Sequence, residues 1–292
     1  MAISPAAAIL QSVVSSGAAR THQTIVATLC LAFLAGAYIG LGGLFAVRVS
    51  GAMPPEVWGS LQKLVFGMVF PTGLLLVVLC GADLFTGNCL SLSAARFNAR
   101  ISWWRATRSG CLSYFGNFLG AVFIAWALVK EGGILFEMTN GTMPWGSFVV
   151  KLANAKTSLD PWEAFWRGVG CNWLVCLAIY AASAAKDTFG KICALWGPTM
   201  AFAAIGFEHC IANMFFIPAA WFVGTDPRYL ALADVPRIHF GLEDVLLGNL
   251  LPVTLGNFVG GFVFVAGFYC LIHWKELNAL GRLQEKTAQK EE

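Results

Sequence analysis

Six long apolar stretches run along the chain, and most of the charged residues lie in the short segments between them. A helix that crosses a membrane needs about 20 consecutive, mostly apolar residues, and each stretch reaches that length. We therefore predict six membrane-spanning helices, numbered spans 1 to 6 in chain order, at residues 25–47, 64–95, 109–129, 161–185, 192–223 and 245–274.

Spans 2 and 5 are too long for a single crossing, and each has an acidic residue near its middle. Asp83 interrupts span 2, and Glu208 together with His209 interrupts span 5. Small and polar residues, among them Asn88 and Asn213, surround the interruptions. Because non-helical backbone at membrane depth survives only where it is buried in protein or lines a cavity, both spans are predicted to be broken helices.

The two halves of the chain also repeat weakly. GNFLG at 116–120 matches GNFVG at 256–260, G-x-D-x4-N at 81–88 matches G-x-E-x4-N at 206–213, and GLG at 40–42 matches GVG at 168–170. Each half, about 25–135 and 155–275, holds three spans, so the second half crosses the membrane in the opposite direction. The predicted fold is an all-α polytopic membrane protein of two inverted three-helix repeats. Such repeats, each with a broken helix, are typical of transporters with a site near the membrane midplane.

Composition agrees with this interpretation. Hydrophobic residues make up 58% of the chain and charged residues only 12%, and the mean hydropathy is +0.68. These values exclude a soluble enzyme and a disordered chain, and a net charge of +3 does not indicate a nucleic-acid partner. Nine cysteines lie mostly inside apolar runs without a C-x-x-C pair, so we expect no disulfide framework, metal site or cofactor.

Lysine and arginine indicate how the chain is oriented. Basic residues are more numerous on the side that carries both termini, which predicts cytoplasmic termini. Residues 1–24 are expected to form a cytoplasmic helix or tail, 25–275 the transmembrane domain, and 276–292 a polar cytoplasmic tail. We expect a plasma or inner membrane, with an organelle membrane as the alternative.

Four segments at and near the broken helices resemble the formate/nitrite transporter family. They are GADLFTGN at 81–88, CNWLVCLA at 171–178, GFEHCIANM at 206–214 and NLLPVTLGN at 249–257. The resemblance implies an aquaporin-like protomer, a homopentamer in the lipid bilayer, and passage of small monovalent anions or their acids. The formate, lactate and acetate class is expected first; nitrite, bicarbonate and hydrosulfide remain open, as does the direction of transport.

The resemblance also implies which residues form the pathway. His209 would be the central histidine, Asn172 its hydrogen-bond partner from span 4, and Thr86 would lie opposite on the span 2 break. Lys156 would stand near the outer entrance, where a cation attracts anions. His209 is also the one histidine deep in an apolar segment, and an ionisable group there indicates function in its own right. A structural histidine is the alternative.

Apolar residues would form the constrictions. By the same resemblance Leu74, Leu84 and Phe85 form the inner one, and Phe70 and Phe202 the outer one. Because desolvating a charge is costly, we expect the substrate to cross as a neutral acid with a proton, so protons are expected partners. Passage of the bare anion beside a protonated histidine is the alternative.

The two mid-span acids have equivalent positions in the repeat, which favours equivalent structural roles. We expect Asp83 and Glu208 to cap backbone groups freed by the helix breaks, and a proton relay is the alternative. A membrane enzyme using His209 is the competing class, but no catalytic motif supports a reaction and no catalytic residue is assigned. The sequence does not decide whether Arg167 faces the pathway.

Overall fold

A computed structural model describes residues 5–277, and these are almost entirely helical. Loops and turns connect the helices, and the β-structure within the described range is an isolated bridge between Thr139 and Thr142. The segment 1–4 lies outside the described residues, and so does the predicted tail 276–292 beyond its first two residues.

The described part of the first half contains seven α-helices. They are α1 (Ala6–Arg20), α2 (Ile25–Ser50), α3 (Pro55–Trp58), α4 (Ser60–Val69), α5 (Pro71–Leu79), α6 (Phe85–Phe97) and α7 (Trp103–Ile124), the last continuing as a π-helix at Ala125–Glu131. Span 1 is α2, whose first turn is capped by the side chain of Thr24. Span 2 comprises α4, α5 and α6, and span 3 is α7 with its π-helical end.

The second half contains the remaining α-helices. After a 3-10 turn at Ile134–Phe136 they are α8 (Pro144–Thr157), α9 (Pro161–Ala184), α10 (Thr188–Ile205), α11 (Cys210–Gly224), α12 (Pro227–Leu230), α13 (Leu251–Gly261) and α14 (Phe268–Ile272). Span 4 is α9, which begins at Pro161 after the capping residue Asp160. Span 5 is α10 with α11. Span 6 joins π-helical segments at Asp244–Leu250 and Phe262–Gly267 to α13 and α14.

The prediction of six spans with broken second and fifth helices is confirmed. Among residues 5–277, five helices are long and apolar enough to cross a membrane, and α10 with α11 forms a sixth span that bends by 50° at its break. The second span is interrupted between α5 and α6. Spans 2 and 3 begin earlier than predicted because Lys63, Arg105 and Arg108 are accommodated inside helices.

Glycines bring the spans of each half into close contact. In the first half a Cβ atom at Gly120 would collide with the carbonyl oxygen of Phe33. In the second half a Cβ atom at Gly256 would collide with the carbonyl oxygen of Phe165. Span 3 therefore packs backbone to backbone on span 1, and span 6 packs in the same way on span 4.

The structure corrects one match of the predicted repeat. The side chain of Asn117 donates to the carbonyl of Ala32, and its equivalent Asn257 donates to the carbonyl of Gly168. Gly168 is therefore equivalent to Ala32, and the predicted pairing with Gly40 is wrong. Glycine is common in membrane helices, so a short glycine match fixes the register poorly.

The repeat also takes in one helix before each set of three spans. α1 packs against α6, and α8 packs against α11. Each of these helices carries a basic residue in its last turn, Arg20 in α1 and Lys156 in α8. The two basic residues consequently lie at equivalent places beside the two breaks.

Candidate functional site

The break in span 5 is made by a glycine and closed by a histidine. Gly206 ends α10 with a φ of +86°, a left-handed conformation that favours glycine. Three residues outside any helix follow, and α11 begins at Cys210. His209 is the N-cap of α11, since its Nδ1 accepts a hydrogen bond from the backbone N–H of Ala212 at 3.1 Å.

The break in span 2 has the same construction. Gly81 has a φ of +73°, and three residues separate it from α6, which begins at Phe85. Leu84 stands at the N-cap position and provides no side-chain cap. The two breaks thus differ in their N-cap residue, where an apolar Leu84 corresponds to the polar His209.

Two asparagines hold the breaks in place. Asn117 of span 3 accepts a hydrogen bond from the first N–H of α6 at 2.8 Å and donates to the carbonyl of Asp83 at 2.8 Å. Asn257 of span 6 makes the same pair of bonds with the first N–H of α11 and the carbonyl of Glu208, each at 2.9 Å. The sequence analysis missed this role, although both asparagines are in the matching motifs of spans 3 and 6.

Asp83 does not cap backbone as expected; it belongs to an ion-paired cluster. The side chain is buried, and Oδ1 lies 2.8 Å from the guanidinium of Arg20. The same oxygen accepts a hydrogen bond from Asn88 at 2.6 Å. A carboxylate in an apolar interior is stable only when its charge is compensated, and Arg20 provides that charge.

Glu208 belongs to an equivalent ion-paired cluster, and its side chain does not cap backbone groups as expected either. Its Oε1 accepts from the Lys156 ammonium at 2.8 Å, and its Oε2 accepts from Asn213 at 2.7 Å. Asn249 donates to Oε2 as well, at 3.2 Å. Lys156 is only 9% exposed, so it is a buried, paired lysine rather than a free cation at an entrance.

Thr86 and His209 meet between the two half-helices. Thr86 Oγ1 lies 3.0 Å from His209 Nε2, and both side chains are buried. Because His209 Nδ1 accepts from the N–H of Ala212, that nitrogen carries no proton, and in the neutral ring Nε2 carries it. His209 therefore donates to Thr86, whose own hydroxyl hydrogen remains available to donate to a third group.

Asn172 contacts Thr86 rather than His209, which corrects the expected pairing. Its Nδ2 donates to the backbone carbonyls of Thr86 at 3.1 Å and of Asn257 at 2.6 Å. Both partners can only accept, so the orientation of the amide is fixed. Asn172 Oδ1 is buried and has no hydrogen-bond partner among the described residues. Asn172 consequently offers an acceptor, and its donors are already used.

Aromatic rings cover the site on the side of α8. Phe202 stacks on the ring of His209 with centroids 5.9 Å apart, and Phe70 meets Phe202 edge-on at 5.7 Å. Both phenylalanines are buried. They form an apolar layer against the histidine ring.

On the side of α1 the site is bounded by leucines. Leu84 is buried and lines a cavity of about 370 Å³, together with Val77 and Gly87. Leu74 is also buried and precedes Val77 by about one turn of α5, on the same helix face. These two leucines therefore lie between the cavity and the centre of the span.

Phe85 does not share this position, and its assignment to the inner constriction is corrected. Its ring meets Tyr114 of span 3 edge-on at 4.9 Å. It lines a separate groove with Phe258 and Phe262 of span 6. α6 begins at Phe85, so Leu84 and Phe85 project in different directions although they are neighbours in sequence.

Other candidate residues are outside the site. Arg167 is partly exposed on α9 and lies 3.4 Å from Glu163, one turn earlier. Among residues 5–277 no group of histidine, cysteine and acidic side chains is arranged to hold a metal ion.

Comparison with known proteins agrees with this architecture. The sequence profile described as "Formate/nitrite transporter" matches residues 7–271. A probable formate transporter of Methanothermobacter thermautotrophicus is 44% identical over 261 residues, which is 84% of this chain and 88% of that protein. The formate channel BtFdhC of Bacillus thuringiensis is 38% identical over 268 residues, covering 92% of this chain and 95% of the channel.

Two solved structures have the same fold. One, an FNT family ion channel, superposes with a TM-score of 0.78 at 30% identity, over 90% of this chain and 98% of that one. The other is a pentameric formate channel with formate bound, with a TM-score of 0.75 at 30% identity, over 86% of this chain and 98% of that one.

Proposed function

The chain belongs to the formate/nitrite transporter family, and on that premise we propose that it carries formate and other small monocarboxylates across a membrane as neutral acids. The named relatives are channels and transporters rather than enzymes. A membrane enzyme using His209 is therefore set aside.

One observation carries the proposal: Thr86 and Asn172, which are hydrogen-bonded to each other, offer one free donor and one free acceptor. The hydroxyl of Thr86 is free to donate because Oγ1 already accepts from His209. The Oδ1 of Asn172 is buried without a partner among the described residues. A carboxylic acid has one O–H donor and a carbonyl acceptor, whereas a carboxylate can only accept. The pair is thus complementary to the acid.

The charges around the site support the same conclusion. Asp83 and Glu208 are each paired with a cation at 2.8 Å, so neither ion-paired cluster adds a net charge. Thr86 in α6 and His209 at the start of α11 are in contact, so the N-terminal ends of two half-helices meet there. Such ends carry partial positive charge and stabilise the substrate oxygens without requiring a full negative charge.

The apolar layers on the two sides of the site select the neutral acid over the bare anion. A bare anion would lose most of its hydration between Phe202 on one side and Leu84 on the other, which is costly. A neutral acid loses much less. We propose that Leu74 and Leu84 form the inner barrier and Phe70 and Phe202 the outer one. His209, Thr86 and Asn172 then bind the acid between them.

The assembly and orientation are part of the proposal. A homopentamer with one pathway in each protomer is supported by the pentameric formate channel of the same fold. Large apolar side chains, among them Trp104, Val26 and Leu271, are exposed on the single protomer and are suited to lipid or to neighbouring protomers. We place both termini in the cytoplasm of a plasma or inner membrane, with residues 25–275 as the transmembrane domain.

The uptake of acids of different size tests whether Phe70 and Phe202 form the outer barrier. Proteoliposomes containing the protein are expected to take up formate faster than lactate, and lactate faster than pyruvate. The Phe202→Ala variant is expected to raise the ratio of lactate to formate uptake by roughly tenfold, because the opening in the apolar layer admits a larger acid. Initial uptake rates of the three radiolabelled acids measure this ratio.

The Phe85→Ala variant is the matched control. It removes the same volume from a ring that packs on Tyr114 outside the barrier, so its uptake ratios are expected to equal those of the wild type. Equal ratios in the Phe202→Ala variant and the wild type would refute the outer barrier. Failure of the wild-type protein to transport formate would refute the proposed function.

A further inference from the structure

An aromatic groove, here called the α6–α7 groove, lies beside the half-helix α6. It encloses about 310 Å³ between α6, α7 and span 6, and its apolar lining includes Leu92, Trp103, Phe258 and Phe262. The rings of Phe258 and Phe262 stack with their centroids 4.8 Å apart. Trp103 is 50% exposed and Phe258 is 41% exposed, so the groove opens on the outside of the protomer. The proposed pathway does not run through it.

Arg96 stands at the end of the α6–α7 groove that is farthest from the helix break. It follows Leu92 by about one turn on the same face of α6, and its guanidinium lies over the ring of Trp103, 4.9 Å from the ring centroid. Its Nε is buried and has no hydrogen-bond partner among the described residues. Arg96 forms no ion pair within residues 5–277 either. Because a buried donor of a charged group is costly to leave unpaired, this end of the groove favours an anionic acceptor.

The length of the groove matches one leaflet of a bilayer. The stretch from Phe85, next to the helix break, to Arg96 rises about 16 Å at about 1.5 Å per residue. The hydrocarbon core of a membrane is about 30 Å thick, so one leaflet accounts for about 15 Å. An acyl chain along the groove would therefore place its head group beside Arg96 and Trp103, and tryptophan is enriched at this level of a membrane.

We infer that the α6–α7 groove binds an anionic phospholipid from the leaflet on the α1 side, with its phosphate at Arg96 and an acyl chain against Phe258 and Phe262. A guanidinium forms strong, charge-assisted hydrogen bonds with a phosphate, and basic pockets between membrane helices are suited to anionic head groups. Arg105 and Arg108 add positive charge to the same side of the membrane. The inference goes beyond the proposed function, because it involves neither the transported acid nor its pathway.

The repeat contains a second groove of this kind without the arginine. LSAARF at 92–97 matches IPAAWF at 217–222, at the same offset as the two mid-span acids. Ile217 and Trp221 line a cavity of about 290 Å³ beside α11. Trp221 stands where the α6–α7 groove has Arg96, so of the two grooves it is the first that offers a buried guanidinium N–H to a phosphate.

The Arg96→Gln variant tests the inference. Native mass spectrometry of the purified protein, titrated in detergent with dioleoyl phosphatidylglycerol or dioleoyl phosphatidylcholine, gives a dissociation constant for each lipid. The wild type is expected to bind the anionic lipid about tenfold more tightly than the zwitterionic one, and Arg96→Gln is expected to lose this difference together with the charged hydrogen bond. Arg96→Lys keeps the charge and should retain most of the preference. Arg105→Gln, which removes an exposed charge that does not line the groove, is the matched control.

A second variant tests the position of the acyl chain. Gly110 lines the α6–α7 groove, and a Cβ atom there would enter open space. Gly110→Phe is therefore expected to fill the groove without a change in thermal stability and to weaken the binding of phosphatidylglycerol about tenfold, because apolar contact with the chain is lost. Gly197→Phe, at an equally open position on α10, is its matched control.

The reactivity of Cys111 shows where the lipid lies. Cys111 is exposed and lines the groove, whereas Cys193 on α10 is exposed and does not. Phosphatidylglycerol is expected to abolish maleimide labelling of Cys111 and to leave the labelling of Cys193 unchanged. If Cys111 were equally unreactive without added lipid, a neighbouring protomer would cover the groove and the inference would be overturned.

Three binding results would also overturn it. They are equal affinities of the wild type for the two lipids, an undiminished preference in Arg96→Gln or Gly110→Phe, and the same loss of preference in Arg105→Gln. Formate uptake by the wild type measures the proposed function separately.

Discussion

Replacing His209 with phenylalanine is expected to lower formate flux about tenfold or more while the protein still folds. The ring shape and its stacking on Phe202 are kept, but the donor to Thr86 and the acceptor for Ala212 are lost. A buried polar group left without its partner costs about 1–3 kcal/mol, which corresponds to a change in rate of about fivefold to 150-fold if the group acts during passage. Initial formate uptake into proteoliposomes measures the effect.

The His209→Asn variant distinguishes transport from a purely structural role. Asparagine is a good N-cap and can accept the N–H of Ala212, but its shorter side chain does not reach Thr86. We expect it to restore thermal stability and to leave formate flux low. The exposed His239, replaced by phenylalanine, serves as the matched control. Wild-type flux at every pH in a folded His209→Phe or His209→Asn protein would show that His209 only closes the helix break.

Replacing Lys156 with methionine is expected to destabilise the protein by about 3–5 kcal/mol. The reason is that Glu208 would remain as a buried carboxylate without its cation, and removal of one partner of a buried pair has a cost of that order. The double variant Lys156→Met with Glu208→Gln is expected to recover most of the stability, because no uncompensated charge remains. The thermal unfolding of the purified protein in detergent measures these differences.

Lys151 provides the control for this prediction. It lies on the same helix, α8, and is exposed, so Lys151→Met is expected to unfold at the wild-type temperature. If Lys156→Met were as stable as the wild type and lost uptake only at low salt, Lys156 would be an entrance cation after all. The account of a paired, buried lysine would then be wrong.

Much of the fold follows from the distribution of charge. The six spans are visible because a charged side chain rarely lies within an apolar run of that length. The breaks are visible because Asp83 and Glu208 violate this pattern at equivalent positions. The ends of spans 2 and 3 are less predictable, since Lys63 and Arg105 continue their helices into the membrane surface.

The sequence indicates which residues belong to the site better than it indicates which of them are in contact. Arg20 looks like an ordinary membrane-surface charge in the sequence, and only the packing of α1 on α6 brings it to Asp83. The direction of a side chain depends on where a helix begins. This is why Phe85 was assigned together with Leu84 although α6 directs it towards Tyr114.

Asn172 illustrates the same limit at the level of single atoms. The sequence indicates a polar residue near His209, but not which of its atoms is already bonded. The carbonyls of Thr86 and Asn257 take up its donors and leave the acceptor. That one orientation leaves the site with a free donor on Thr86 and a free acceptor on Asn172, which suit an acid.

The most direct test of passage as a neutral acid is the charge carried with each formate. A free carboxylic acid has a pKa near about 4, so at neutral pH each molecule that crosses must first take up a proton. Formate movement through protein in a planar bilayer is therefore expected to carry no current, and uptake into proteoliposomes to consume one external proton per formate. Uptake should also fall when the proton gradient is removed at a constant formate gradient. A large formate current at neutral pH that does not respond to the proton gradient would contradict the account.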